Sequence, residues 1–217
     1  MKIYAININH IDFSNPDVYK QYISDRRIEQ SKRFRFEADR KRSLCAEYLL
    51  NYGLKECFPE IRTPVLTAAE TTNGKPYLPK NPNIHFNLSH SGDYAVCVID
   101  DAPIGIDIEQ CKNDGEKIAK RFFTEEEYLD ICSRTNPLER QNQFYIYWVL
   151  KESFMKATGY GMQLSMTDFS VRLGDPITFI HEVNEQSYYA KIYDFAKGYC
   201  MAVCSEKNDD FGDLTLL

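Results

Sequence analysis

Two rhythms of apolar and polar positions run along the chain. Residues 2–8 alternate, which predicts a strand. Over residues 42–54 the apolar Leu44, Cys45, Tyr48, Leu49 and Leu54 recur at helical spacing. The period returns to two at Ile84, Phe86 and Leu88, where Ser89 to Gly92 read as a loop into a second strand over 94–99. A short apolar strand follows at 103–109, with Ile104, Ile106 and Ile108 evenly spaced. A long helix is predicted over 138–158, stopped by Gly159 at C′. Residues 169–173, 188–195 and 199–204 read as further strands. Weaker signals predict a polar helical segment over 16–27 and a short helix over 116–123. Thr124 and Glu127 have the spacing of a capping box and start another helix. Asn73-Gly74 followed by Pro76 marks a hairpin connection, and the acidic, then apolar tail over 206–217 carries no pattern. Each half thus offers strands and one long amphipathic helix, a faint echo without a true repeat.

Composition narrows the function. The 217 residues are 43% apolar, with 15 Tyr and 13 Phe, which is enough for a core dominated by aromatic contacts. The net charge of −6 provides no overall basic field for a nucleic-acid backbone, so nucleic acid is not an expected partner. An anionic ligand has to be held by a local cluster instead. Arg26, Arg27, Lys32, Arg33, Arg35, Arg40, Lys41 and Arg42 form the one region rich in positive charge. No apolar run approaches the roughly 18 residues of a membrane span, and the first residues lack the apolar block of a signal peptide. Seven scattered cysteines without a CxxC pair suit a cytoplasmic protein with reduced, mostly buried thiols.

Candidate chemistry centres on Asp107 and Glu109. They project from one face of the predicted strand, one period apart. Two adjacent carboxylates repel unless a cation lies between them, and few oxygen ligands beside phosphates suit Mg²⁺. A strand end with its acidic face in water explains the pair equally well. Ser89-His90-Ser91-Gly92 is not a hydrolase triad, because neighbouring side chains point apart. It suits a phosphate, through hydroxyls, imidazolium and backbone N–H groups, or it is a plain turn with an exposed His. Arg42 falls in the first turn of its predicted helix, where the dipole disfavours a cation and a bound anion would relieve the conflict. Glu127 has a structural task in the capping box, to which a catalytic role would be additional. Tyr145, Trp148, Glu152 and Met155 or Lys156 share one helical stripe. Charged residues beside the only Trp, on a packed face, are costly without a purpose. Glu152 and Lys156 are either a plain i,i+4 pair or a third carboxylate and a phosphate-neutralising cation, with Lys151 at the edge of the phosphate.

These residues fall into three motifs: Asn73-Gly74-Lys75-Pro76; Phe86-Asn87-Leu88-Ser89-His90-Ser91 through Gly105-Ile106-Asp107-Ile108-Glu109; and Phe122-Phe123-Thr124-Glu125-Glu126-Glu127 with Trp148-Val149-Leu150-Lys151-Glu152-Ser153-Phe154-Met155-Lys156. In this order and separation the chain resembles the Sfp-type 4′-phosphopantetheinyl transferases over nearly its whole length. The resemblance implies an α+β fold of two similar α/β lobes in pseudo-two-fold arrangement, residues 1–102 and 103–217, forming a pseudo-dimeric monomer with coenzyme A in the cleft. It implies Mg²⁺, or Mn²⁺, on Asp107, Glu109 and Glu152. It implies phosphate contacts from Ser89, His90 and Lys156, with Arg42 on the 3′-phosphate. Lys75 and Pro76 would lie at the adenine end, and Arg27 falls near a basic residue of relatives, while Gln30 stands where another relative has lysine. The implied reaction moves 4′-phosphopantetheine from coenzyme A to a serine of an apo peptidyl or acyl carrier protein, activating nonribosomal peptide (antibiotic), polyketide or fatty-acid synthases. Glu152, Glu127 or a water is the implied base. The competing expectations are another Mg²⁺-dependent nucleotide transferase or phosphohydrolase, and a non-catalytic coenzyme A-binding module.

Overall fold

The computed structural model describes residues 1–65, 69–208 and 211–217. In chain order the elements are β1 (Lys2–Asn7), α1 (Pro16–Tyr19), α2 (Asp25–Ser31), α3 (Glu37–Cys57), β2 (Ala69–Glu70), β3 (Pro76–Tyr77), β4 (His85–Ser91), β5 (Tyr94–Asp100) and β6 (Ile104–Gln110). There follow α4 (Glu116–Phe122), α5 (Glu125–Ser133), α6 (Pro137–Thr158), a 3₁₀ turn (Gly161–Gln163), β7 (Phe169–Arg172), β8 (Ile177–His181), β9 (Tyr189–Tyr193), β10 (Tyr199–Ser205) and β11 (Leu214–Leu216). One sheet has the order β11-β1-β5-β4 and the other β6-β10-β9-β8-β7, while β2 and β3 form a small hairpin. The fold is therefore α+β with two sheet lobes.

Alternation along the strands builds the layers. Tyr4 and Ile6 of β1 join Leu49, Leu54 and Phe86 in a core under α3. The opposite faces of β1 and β5, with Ile3, Ala5, Val96 and Val98, meet Ile104, Ile106, Ile108, Met201 and Val203 in a second core between the sheets. Each fully buried aliphatic side chain there contributes about 2 kcal/mol. Cys200, Ala202 and Cys204 of β10 turn instead to α6, packing with Val149, Leu150 and Phe154. Because the three isoleucines of β6 face the inter-sheet core, Gly105, Asp107 and Glu109 face the other way, towards α6.

The helix ends follow their local chemistry. Asn136 caps α6, Pro137 occupies its first turn, and Gly159 closes it at φ 76°. The Thr124–Glu127 capping box is present at the start of α5. The polar segment expected over 16–27 is two short helices, because Ser24 caps α2 and breaks the run. α3 starts at Glu37, five residues before Arg42, so Arg42 lies beyond the first turn and pairs with Asp39. The dipole conflict expected there does not exist. β4 continues through Ser89 to Ser91, paired with Val96 to Tyr94 of β5, where a loop was expected. Only Gly92 and Asp93 turn the chain, Gly92 at φ 54°. Two strands lay outside the sequence reading: β8, and β11, which brings the tail back to pair in parallel with β1.

Gly105 sets how closely α6 approaches β6. A Cβ there would lie 2.0 Å from Ser153 O and 2.5 Å from Ala157 N. Gly105→Ala should push α6 away and cost about 3 kcal/mol, read as a lowered denaturant midpoint at unchanged m-value.

Candidate active site

Three elements converge on one cleft. β6 presents Asp107 and Glu109, α6 presents Glu152 and Lys156, and β4 presents Ser89 and Ser91. Asp107 is only 3% exposed. Its Oδ1 accepts from Ser89 Oγ at 2.8 Å and from Lys156 Nζ at 2.6 Å. Its Oδ2 is buried without a partner. Lys156 Nζ also donates to Ser89 Oγ at 3.0 Å and to Ile106 O at 3.1 Å. Glu109 accepts from Ser91 Oγ at 2.8 Å and from the Trp148 side chain.

The carboxylates feel one another. Burial raises the Glu109 carboxyl above its ordinary range, and the Asp107 charge adds to this against the hydrogen bond from Ser91. Glu152 is raised by burial first, then by Asp107, with Lys156 opposing and Glu109 adding. Crowded acids of this kind are a frequent mark of a functional cleft. As the side chains stand, no three His, Cys, Asp or Glu among the described residues are gathered tightly enough to hold an ion. Lys156 lies against Asp107 instead. The donors nonetheless fit a hard divalent cation: they are carboxylate oxygens, their mutual repulsion calls for positive charge, and Asp107 Oδ2 is buried with nothing to satisfy it.

The anion-binding candidates lie at the rim. Arg42 Nη1 donates to Gly92 O at 2.6 Å, tying α3 to the β4–β5 turn. His90 is exposed on β4, yet its imidazolium is disfavoured by partial desolvation first, and the charges of Arg42 and Lys156 reinforce this. Arg27 is committed elsewhere: its Nε donates to buried Glu47 at 2.8 Å and its Nη1 approaches Ser43 Oγ at 3.4 Å. Lys75 and Pro76 line a cavity of about 550 Å³ with Tyr77, Phe86, Gly159 and Tyr160. Lys75 Nζ donates to Ile104 O at 3.1 Å and Ala157 O at 3.0 Å, and burial pushes it down to about 8. Asn73, read only as a turn residue, donates to Gly159 O at 3.0 Å. The hairpin thereby caps the free carbonyls at the end of α6.

Two expected site residues are not in the cleft. Lys151 is 0% exposed and pairs at 2.9 Å with Glu127, itself 2% exposed. Lys151 also donates to Met166 O and Phe169 O, both at 2.8 Å. Glu127 accepts from Val171 N at 2.8 Å and Thr124 N at 3.0 Å. Burial lowers the Lys151 ammonium, and Glu127 holds it up. The pair locks α5, α6 and β7 together, so Lys151 is no phosphate ligand and Glu127 no general base. One residue along a helix is a turn of about 100°, which separates Lys151 from the face of Glu152. Ser91, expected only as part of the Ser89–Gly92 phosphate run, gives its hydroxyl to Glu109 instead. Its signal was the period of two in Asn87, Ser89 and Ser91, which marks one polar face of β4.

Comparison with known proteins shows the family. Residues 103–204 match the 4′-phosphopantetheinyl transferase superfamily, and residues 16–101 match "4′-phosphopantetheinyl transferase, N-terminal". The 4′-phosphopantetheinyl transferase psf-1 of Bacillus pumilus is 36% identical over 95% of this chain and 91% of its own. The Sfp protein of Bacillus subtilis is 34% identical over 100% of this chain and 97% of its own. The gsp protein of Aneurinibacillus migulanus is 32% identical over 77% and 69%. The chain belongs to the Sfp-type 4′-phosphopantetheinyl transferase family. A partial likeness to the holo-[acyl-carrier-protein] synthase of Thermotoga maritima, with a TM-score of 0.41 over 48% of this chain and 61% of that one, is too limited in extent to bear on the site.

Lys151→Met leaves the Glu127 carboxylate buried and unpaired, and should cost about 3–5 kcal/mol. Adding Glu127→Gln should recover a large part of it, as measured by chemical denaturation of the single and double variants.

Proposed function

We propose that this chain transfers 4′-phosphopantetheine from coenzyme A to a serine of apo carrier proteins and releases 3′,5′-ADP. The observation that carries this reading is buried Asp107, with one oxygen unpartnered and the other shared by Ser89 and Lys156, beside Glu109 and Glu152. An acidic chain that binds a polyanion needs such a local site. Asp107, Glu109 and Glu152 would hold Mg²⁺, which when bound supplies positive charge to the pyrophosphate. Lys156 donates to phosphate oxygens from its place beside Ser89. Arg42 takes the 3′-phosphate, and Ser89 and His90 add phosphate contacts. Lys75 and Pro76 line the cavity that receives the adenine.

The chemistry relies on positioning and charge, without a covalent enzyme intermediate. The carrier serine oxygen attacks the β-phosphorus, the bond from that phosphorus to the leaving 3′,5′-ADP oxygen breaks, and the leaving oxygen keeps the electron pair. Glu152 accepts the serine proton. Its carboxylate accepts no hydrogen bond among the described residues, so an oxygen is open to take the proton directly or through a water. The carrier domains of nonribosomal peptide, polyketide or fatty-acid synthases are the proposed acceptors, met in the cytoplasm by a monomer. Among the described residues no helix is long and apolar enough to cross a membrane.

Incubation with coenzyme A, Mg²⁺ and an apo carrier protein should add the phosphopantetheine mass to the carrier serine. Nucleotide hydrolysis without that addition, or binding without product, would refute the proposal. Asp107→Ala should lower transfer by at least about 10²-fold with the fold retained, and Lys156→Ala should reduce turnover by a similar order. Undiminished metal-dependent transfer by Asp107→Ala would remove it from the cation site.

A further inference from the structure

We infer that Ser91 is a positioning residue that aims Glu109 at the cation site; the inference rests on the proposed function. β4 and β6 are edge strands of different sheets, and no backbone ladder joins them. Side chains from one face of β4 make the joint. Asn87 Oδ1 accepts the Ile106 N–H at 3.0 Å, and Ser89 Oγ donates to Asp107 at 2.8 Å. Ser91 completes the series with two bonds that fix its single hydroxyl. Its oxygen accepts the Gln110 N–H at 3.1 Å, and its proton goes to Glu109 Oε2 at 2.8 Å. With the backbone donor occupying a lone pair, the hydroxyl rotor is set and its proton is committed to the carboxylate. Ser89 is not comparable, because Lys156 Nζ also approaches its oxygen and draws it into the phosphate site. Ser91 has no such competitor.

A second observation points to a ligand here. Asp107, one strand period from Glu109 and on the same face, is 3% exposed and keeps its Oδ2 unpartnered. A cation that satisfied this oxygen would draw on Glu109 from the same face, and the Ser91 hydroxyl and Trp148 side chain limit the orientations its carboxylate can take there. Groups that orient metal-binding carboxylates change metal affinity by about 10–100-fold when removed.

The Ser91→Ala variant should fold, because the β4–β5 turn is held independently by Arg42 on Gly92 O and by Asp93 N–H on the Tyr199 hydroxyl. The test titrates the full chain with Mn²⁺ and follows the fluorescence of Trp148, the single tryptophan, which touches Glu109. Ser91→Ala should raise the half-saturating Mn²⁺ concentration about 10-fold, and Ser91→Thr, which keeps the hydroxyl, should restore it. The Mg²⁺ midpoint of carrier modification should move in parallel, with the rate at saturating Mg²⁺ recovering to near wild type. A purely structural role would lower the thermal midpoint and the saturating rate without moving the cation midpoint, and would overturn the inference. If Ser91→Ala titrates like wild type while Asp107→Ala loses the Mn²⁺ response, Ser91 is excluded and the cation reading stands. If wild type itself gives no response and transfers without divalent cation, both fall.

Discussion

The site depends on the way two sheet edges meet without pairing. An edge strand exposes N–H and C=O groups that must be satisfied or wetted. β6 satisfies its free edge with side chains: Asn87 takes the Ile106 N–H, Ser91 takes the Gln110 N–H, and Lys156 donates to the Ile106 carbonyl. A backbone ladder between β4 and β6 would have merged the sheets and closed the cleft. The side-chain joint keeps the strands apart while fixing their register. It also delivers hydroxyls to both carboxylates of β6, so one arrangement closes the lobe junction and shapes the site.

The second constraint is the approach of α6. Gly105 lets the helix backbone come down on β6 at a distance no side chain would allow. That contact sets which face of α6 looks into the cleft. Glu152 and Lys156, one turn apart, face Asp107; Lys151 enters the packed interior, where Glu127 and two carbonyls receive it. Phe123 and Phe169 also flank the Lys151 ammonium, with ring centres 5.6 and 4.3 Å away. The buried pair holds the helix from behind while the opposite face presents Glu152 and Lys156 to the cleft. At the far end the β2–β3 hairpin takes the last carbonyls of α6 through Lys75 and Asn73. The cavity at Lys75 and the carboxylate cluster are therefore fixed to one rigid helix.

Electrostatics connects these parts. Three carboxylates in a chain of net charge −6 form an unfavourable group. Lys156 offsets Asp107 directly, while Glu109 and Glu152 are left with raised proton affinity. On the proposed reading, a cation and an anionic co-substrate each improve the site for the other, since the cation relieves carboxylate repulsion and frees Lys156 for phosphate. Such coupling is reciprocal by thermodynamic necessity.

What the sequence disclosed followed from periodicity. Ile104, Ile106 and Ile108 had to share a buried face, so Asp107 and Glu109 had to share the other, and the structure turns that face to α6. Gly159 and the Thr124–Glu127 box marked helix ends because capping is local chemistry. The errors arose where a tertiary partner outweighed a local signal. Ser89 and His90 look like loop residues, yet β5 pairs with them and β6 consumes the serine hydroxyls, so the strand continues. β11 is three residues long and has no periodicity to read; only β1, more than 200 positions earlier, makes it a strand. Lys151 adjoins Glu152 in sequence, but buried Glu127 claims it. A buried carboxylate is a stronger determinant of where a cation goes than its place in a motif, because an unpaired charge in the interior costs several kcal/mol, whereas a solvated one costs little.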